Sequence, residues 1–307
     1  MSALFAFFAG EGMEKVKVAI LGTGNIGSDL LAKVMRSKHL ECSLFAGRSP
    51  DSKGIARARE MGINTSTDSV DAILRDPSCC DIVFDSTTAE SHARHAPPLV
   101  KLNKYILDLT PSKMGFMCIP LLNLEEALRH RDINLISCGG QSSIPIAHAF
   151  MQSCPQTEYI ELASSISSKS AGPGTRINID EYVWSTRKGI ELFTGVKRAK
   201  VMLSLNPAEP PINMHNTLYM ETKGEPDIGA IRENILTVIE KMKQYTPGVH
   251  VVAGPVYEEG RVTVITSVVG AGDFLPKYAG NLDIMTCAAV TVAEGCARKK
   301  LSGGAAL

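Results

Sequence analysis

The chain has 307 residues, 44% of them hydrophobic, and its 32 lysines and arginines balance 32 aspartates and glutamates. That length and apolar content suit two domains of ordinary size. A formal net charge of +0 leaves no overall field to draw in nucleic acid or an anionic membrane, so any anionic ligand must be held locally.

Residues 1–12 carry a short apolar stretch without a basic n-region. They read as a disordered extension, too short to span a bilayer, with Met13 as a natural alternative start. No later run reaches transmembrane length, so no membrane association is expected. The eight cysteines show no CxxC pair and no zinc-knuckle spacing. In a chain this long that pattern fits a reducing cytoplasm and no structural metal.

Residues 17–21 form an apolar, strand-like run that leads into Gly22-Thr23-Gly24-Asn25-Ile26-Gly27, and residues 29–36 continue with helical periodicity. G-x-G-x-x-G between a strand and a helix is a dinucleotide-binding fingerprint. The glycines allow a tight turn and close approach of a pyrophosphate, toward which the helix amides point. The second strand, 42–46, ends in Gly47-Arg48-Ser49 where a ribose-reading carboxylate is usual. A guanidinium and a hydroxyl suit a 2'-phosphate, which tilts the choice between NAD and NADP toward NADP. The bland alternative for Arg48 is stacking on adenine or pointing to solvent.

Further strands at 81–84, 105–109 and 134–137 end at polar residues, and helical stretches at 54–61, 70–75, 91–102 and 124–130 alternate with them. This rhythm predicts an α/β fold, a Rossmann-type doubly wound parallel sheet, with ligands beyond the carboxyl ends of the strands. His92 and His95 fall i, i+3 on one of these helices; without supporting ligand spacing they read as a solvated face. Asp85 and Asp108, at strand ends, either line the cleft or satisfy loop amides. Cys138 follows the last strand, with Gly139-Gly140 after it and a helix expected over 146–153. A thiol near a helix N-terminus is favoured as thiolate, although a small buried cysteine is the ordinary alternative.

After residue 150 the pattern turns β-rich, with strands at 158–168, 200–205 and 217–221, a hairpin of 249–252 with 261–268, and amphipathic helices over 180–194 and 227–245. This predicts a second α+β domain. The expected division is a dinucleotide domain over 13–143 and a catalytic and dimerising domain over 144–275, with a C-terminal helix, 276–300, returning to complete the first. A second glycine-rich loop, Ser170-Ala171-Gly172-Pro173-Gly174-Thr175-Arg176, precedes a helix and is either a ligand loop or a plain turn.

The motifs GTGNIG, DLTPS, SCGGQSSIP, SISSKSAGPGTRINIDE, NPAEPPINM and LPKYAGNLDIMT together resemble the acylating acetaldehyde dehydrogenases, over about residues 15–298. The resemblance implies oxidation of a short aldehyde to acyl-coenzyme A, with coenzyme A as co-substrate and Cys138 as the acyl-thioester nucleophile. It implies cofactor contacts at Thr23, Gly24, Asn25 and Ile26, at Ser170 through Arg176 with Ile177 and Asn178, and at Asn281. It also implies a homodimer and a complex with a TIM-barrel 4-hydroxy-2-oxoacid aldolase.

The chain departs from that family at three places. A candidate base, usually an aspartate after NPAEPP, is replaced by Asn216, whose amide can orient a group but cannot take a proton. Arg48 and Ser49 stand where an acid is common. The segment 248–273 is shorter than its counterpart by about 20 residues, which can remodel a substrate mouth or partner surface. Two alternatives therefore stay open: an acyl-phosphate reductase of the semialdehyde dehydrogenase type, and a catalytically weakened dinucleotide-binding subunit that regulates an aldolase.

Overall fold

The computed structural model describes residues 15–302, so the expected extension at 1–12 and Met13 lie outside the described residues. The first half alternates strand and helix: β1 (Val16–Leu21), α1 (Asn25–Arg36), β2 (Leu40–Ala46), α2 (Lys53–Glu60), β3 (Thr65–Ser66), α3 (Val70–Arg75), β4 (Ile82–Asp85), α4 (Ala89–Lys101), β5 (Tyr105–Asp108), β6 (Phe116–Met117), α5 (Pro120–Ala127) and β7 (Asp132–Asn134). The strands form a seven-stranded sheet in the order β3-β2-β1-β4-β5-β7-β6, parallel throughout.

Both faces of this sheet are covered, which explains why its central strands are continuous apolar runs. Side chains still alternate. Val18 and Ile20 pack with Leu30 and Val34 of α1, whereas Ala19 and Leu21 pack with Ile73 of α3 and with Ala96 and Leu99 of α4.

The chain then runs through α6 (Cys138–Ser153), β8 (Tyr159–Ser167), α7 (Pro173–Ile177), α8 (Ile179–Thr194), β9 (Arg198–Asn206), β10 (Met214–Glu221), α9 (Ile228–Lys243), β11 (Val249–Glu258), β12 (Arg261–Val268) and α10 (Gly280–Leu301). A second, five-stranded sheet has the order β11-β12-β10-β8-β9, with only the β8–β9 pair parallel. Burial alternates along β8 and β10, so one face carries the core. The helices α8 and α9 pack on β9 and β11, with α6 against both of them.

The last helix, α10, packs on α1, α5 and α6. Met285, Ala289 and Val292 join the core of the parallel sheet, whereas Ile284 joins that of the second sheet. Lys33 of α1, almost fully buried, locks the arrangement with Asp29 at 2.6 Å and Asp283 of α10 at 2.7 Å. A buried cation held by two carboxylates is costly to break, because removing one partner strands the others without water.

One helix differs from the sequence expectation. The run expected to remain a strand through residue 137 stops at Asn134, and the helix expected from 146 begins at Cys138. Gly139, Gly140 and Pro145 count against a helix locally, but tertiary packing overrides them. The Ser137 hydroxyl caps the helix by accepting from the Gly140 amide at 2.9 Å.

Candidate active site

Cys138 is the first residue of α6, at the junction of the two sheets. The chain is turned onto this helix by Ile136, whose φ of +65° is rare for a β-branched residue and costs about 1–3 kcal/mol. Asn134 holds that turn, its Oδ1 accepting from the Ile136 amide at 2.7 Å. The glycine pair then permits close packing. A Cβ on Gly140 would lie 2.8 Å from Ile136 Cγ2, and one on Gly139 would collide with the Tyr182 hydroxyl. The half-buried Cys138 side chain opens into a cavity of about 110 Å³ that Ile26, Thr110, Ile166, Tyr182, Asn281 and Met285 also line.

Burial pushes the Cys138 thiol up to about 11, with the Gly139 amide and the Tyr182 hydroxyl pulling in the other direction. Burial thus opposes the thiolate that the helix terminus favours. Behind the cysteine lies a neutral network. Ser164 donates to Asn216 Oδ1 at 2.7 Å, Asn216 Nδ2 donates to Ser142 Oγ at 3.0 Å, and Ser142 donates to the Cys138 carbonyl at 2.8 Å. Asn216 is 1% exposed and does not line the cavity. His215 points to the opposite side of β10 and meets the Asn213 carbonyl.

A groove beyond the ends of the first strands meets this cavity at Thr87, which borders both. Gly22, Thr23, Arg48 and Ser49 line the groove. Gly22, with φ +102°, has no room for a Cβ, which would lie 2.6 Å from the Ser86 carbonyl oxygen. At Gly24 a Cβ would meet nothing within 4 Å, so its open side is free for a ligand. Ile26 and Asn281 face the cavity, where Asn281 Oδ1 and Thr110 Oγ1 are buried without hydrogen-bond partners. Unspent polar atoms beside the cysteine suit the carboxamide of a nicotinamide ring, and the open glycine turn suits its pyrophosphate. The residues present thus fit a nicotinamide dinucleotide lying from groove to cavity. Asp68 and Asp71 also line the groove, a feature sequence reasoning missed.

The second glycine-rich segment reaches the cavity only in part. It folds as a short 3₁₀ turn at Ser168–Ser170, then α7 and α8. Gly174, Thr175 and Asn178 reach the cavity, whereas Ser170, Ala171, Gly172, Pro173, Arg176 and Ile177 do not line it. Ser170 donates to the Ser167 carbonyl, Arg176 turns back to the Ser168 and Ala171 carbonyls, and Ile177 is exposed.

His92 and His95 are buried rather than solvated, which corrects the sequence reading. His92 Nδ1 lies 3.2 Å from Asp85 Oδ2, while its Nε2 lies 3.5 Å from Asp108 Oδ2 and 3.3 Å from Asp132 Oδ1. His95 Nδ1 is 3.0 Å from the same Asp85 oxygen. Periodicity cannot say which face of α4 a second carboxylate layer will cover. Burial opposes the charge on His92, but Asp132, Asp85 and Asp108 outweigh it and raise its pKa to about 10. Burial likewise opposes ionisation of Asp85, yet bonds from His92 and His95 hold that carboxyl well below its ordinary range.

Burial pushes Asp108 up to about 6. Its oxygens accept from the Thr110 amide at 2.7 Å, the Ser112 hydroxyl at 2.6 Å and Asn134 Nδ2 at 2.8 Å. Asp85 accepts from the Thr87 amide at 3.1 Å. Both strand-end aspartates therefore satisfy loop groups, and the loops they hold form walls of the cavity. No group of three or more metal-ligating side chains suited to an ion occurs among the described residues. None of the described helices is long and apolar enough to cross a membrane.

Comparison with known proteins bears on this site. Residues 138–276 match the family described as prokaryotic acetaldehyde dehydrogenase, dimerisation, and residues 17–115 match the semialdehyde dehydrogenase NAD-binding domain. The acetaldehyde dehydrogenase of Pectobacterium atrosepticum is 50% identical over 92% of this chain and 95% of its own. That of Geobacillus stearothermophilus is 47% identical over 94% of this chain and 99% of its own. Among solved structures, aspartate semialdehyde dehydrogenase II complexed with ASA from Vibrio cholerae superposes with a TM-score of 0.61, covering 93% of this chain and 99% of its own. At 16% identity, that likeness speaks for the fold alone.

Proposed function

The chain belongs to the acetaldehyde dehydrogenase family, and we propose that it converts a short aldehyde and coenzyme A to acyl-coenzyme A through a thioester on Cys138. The observation that carries this reading is the placement of Cys138. It opens into a cavity beside the unpartnered polar atoms of Asn281 and Thr110, at the end of the dinucleotide groove.

In this reading the Cys138 thiol gives up its proton to solvent, and the thiolate attacks the aldehyde carbon, forming the S–C bond while the carbonyl π pair moves to oxygen. A nicotinamide dinucleotide held at the glycine turn of residues 22–24 and at Asn281 and Thr110 would supply the hydride acceptor. As hydride leaves the carbon, the oxygen pair re-forms the carbonyl and a thioester remains. The coenzyme A thiolate then attacks the thioester, and Cys138 leaves as thiolate. Covalent capture divides one difficult acyl transfer into two easier steps. The role of Asn216 is to orient: it fixes Ser142, and through it the first turn of α6.

Arg48 and Ser49 at the groove support NADP over NAD. The matched dimerisation region supports a homodimer, and the unpaired cysteines suit the cytoplasm. A TIM-barrel 4-hydroxy-2-oxoacid aldolase is the partner we would test first, by co-purification. The cavity lining, with no lysine, arginine or histidine among the described residues, disfavours an acyl-phosphate substrate, whose anion needs a basic pocket.

The test is a reduced-dinucleotide burst with aldehyde alone and steady turnover once coenzyme A is added. Cys138→Ala should lose both by at least ~10⁴-fold while retaining dinucleotide binding. Turnover equally fast with inorganic phosphate as acceptor, or retained in Cys138→Ala, would overturn the reading.

A further inference from the structure

Tyr182 lies in the first turn of α8, is 5% exposed, and borders the cavity. Apart from Cys138 it is the only titratable side chain lining that cavity among the described residues. Its hydroxyl sits against the Cα of Gly139 and close to Ser164 Oγ. Cys138 is the residue before Gly139 in the first turn of α6, and its side chain lines the same cavity as Tyr182. Yet no group is aligned well enough to count as a hydrogen-bond partner of Oη. Burying a hydroxyl without a partner is costly, and such a group beside a nucleophile is a donor held in reserve.

The neighbouring polar groups are already committed. Ser164 gives its hydrogen to Asn216, and the Asn216 amide gives its own to Ser142. Burial holds the phenol well above its ordinary pKa, so it keeps its proton across the working pH range and acts as a donor, never as a base.

We propose that Tyr182 is a catalytic residue whose Oη–H donates a hydrogen bond first to the Cys138 sulfur and then to the substrate oxygen as negative charge builds there. The proposal rests on Cys138 being the nucleophile. When the S–C bond forms, the carbonyl π pair becomes an oxygen lone pair, and Oη–H turns from the sulfur it was stabilising to that oxyanion. No proton changes hands. When hydride leaves the carbon and the carbonyl re-forms, the charge disappears and the donor is released. The same donor serves the second oxyanion, formed when coenzyme A attacks the thioester. Charge is thus stabilised only where it develops, which is the condition for a lower barrier and not merely tighter binding.

The test is Tyr182→Phe, which keeps the ring and removes an oxygen that has no aligned partner. Its kcat and burst rate should fall ~100-fold, as for loss of one oxyanion donor, with the dinucleotide KM within about threefold. The pH midpoint for alkylation of Cys138 by iodoacetamide should move upward. A ring-fluorinated tyrosine at 182, a more acidic donor, should move that midpoint downward. A Tyr182→Phe variant within threefold of the parent kcat, or an alkylation midpoint that neither replacement moves, would overturn the proposal. Cys138→Ser separates the two readings: if that variant stays active, the nucleophile assignment fails, whatever Tyr182 does.

Discussion

Two buried polar clusters flank the cavity, and they are built on opposite principles. Beneath the loops that follow β4 and β5, His92 sits among Asp85, Asp108 and Asp132, whose carboxylates raise its pKa to about 10. Behind Cys138, Ser164, Asn216 and Ser142 form a chain that carries no formal charge. The charged cluster fixes backbone: its carboxylates hold the Thr87 and Thr110 amides where the groove and cavity walls begin. The neutral cluster adds no standing charge beside the Cys138 thiol. Rigidity is obtained with ions on one side and without them on the other, since a fixed carboxylate behind the sulfur would oppose the thiolate.

Breaking the charged side should have the largest effect on stability. His92→Gln is expected to cost ~3 kcal/mol, because the carboxylates lose their buried cation. The sign follows from the direction of the shift. The folded-state value is raised to about 10, so the stabilisation is full below about pH 6.5, the unfolded value, and is lost as pH rises toward 10. Urea titrations across that range should show the parent losing stability and the variant changing much less. A parallel decline in both would contradict the cationic assignment.

Asn216→Asp probes the neutral side by adding the charge that the structure avoids. With no cation partner for a buried carboxylate, its pKa should rise, and the variant should be ~2 kcal/mol less stable at pH 7.5 but recover toward pH 5. Turnover should change less than about tenfold, since the residue acts through Ser142. A larger gain would show that a proton acceptor was missing, and the contrast between the clusters would lose its functional meaning. The smallest effect is expected at the exposed guanidinium of the groove. Arg48→Ala should raise the NADP KM about tenfold and leave the NADP-independent thermal stability unchanged.

Much of the fold could be read from short-range pattern. The apolar runs of the parallel sheet, their polar ends and the glycine turn between β1 and α1 are local features, and the structure places them where alternation predicts. The start of α6 was hidden because Gly139, Gly140 and Pro145 are locally unfavourable in a helix. Only contact with Tyr182 and Ile136 explains the glycines. The burial of His92 was hidden for a related reason: its carboxylate partners come from β4, β5 and β7, and no periodicity within α4 names them. Asn216 stood out as an odd residue at a motif position, but its partners Ser142 and Ser164 lie 74 and 52 residues away in sequence. Asp68 and Asp71 in the groove carried no motif at all.

The last helix has a consequence for how the molecule comes into being. Asn281, Leu282 and Met285 of α10 line the cavity, and the same helix fills the core face of the parallel sheet opposite α3 and α4. During synthesis the groove, the cysteine and the second sheet all leave the ribosome before this helix does. The cavity at Cys138 therefore lacks one wall until α10 has been translated and docked, even when both sheets have already formed.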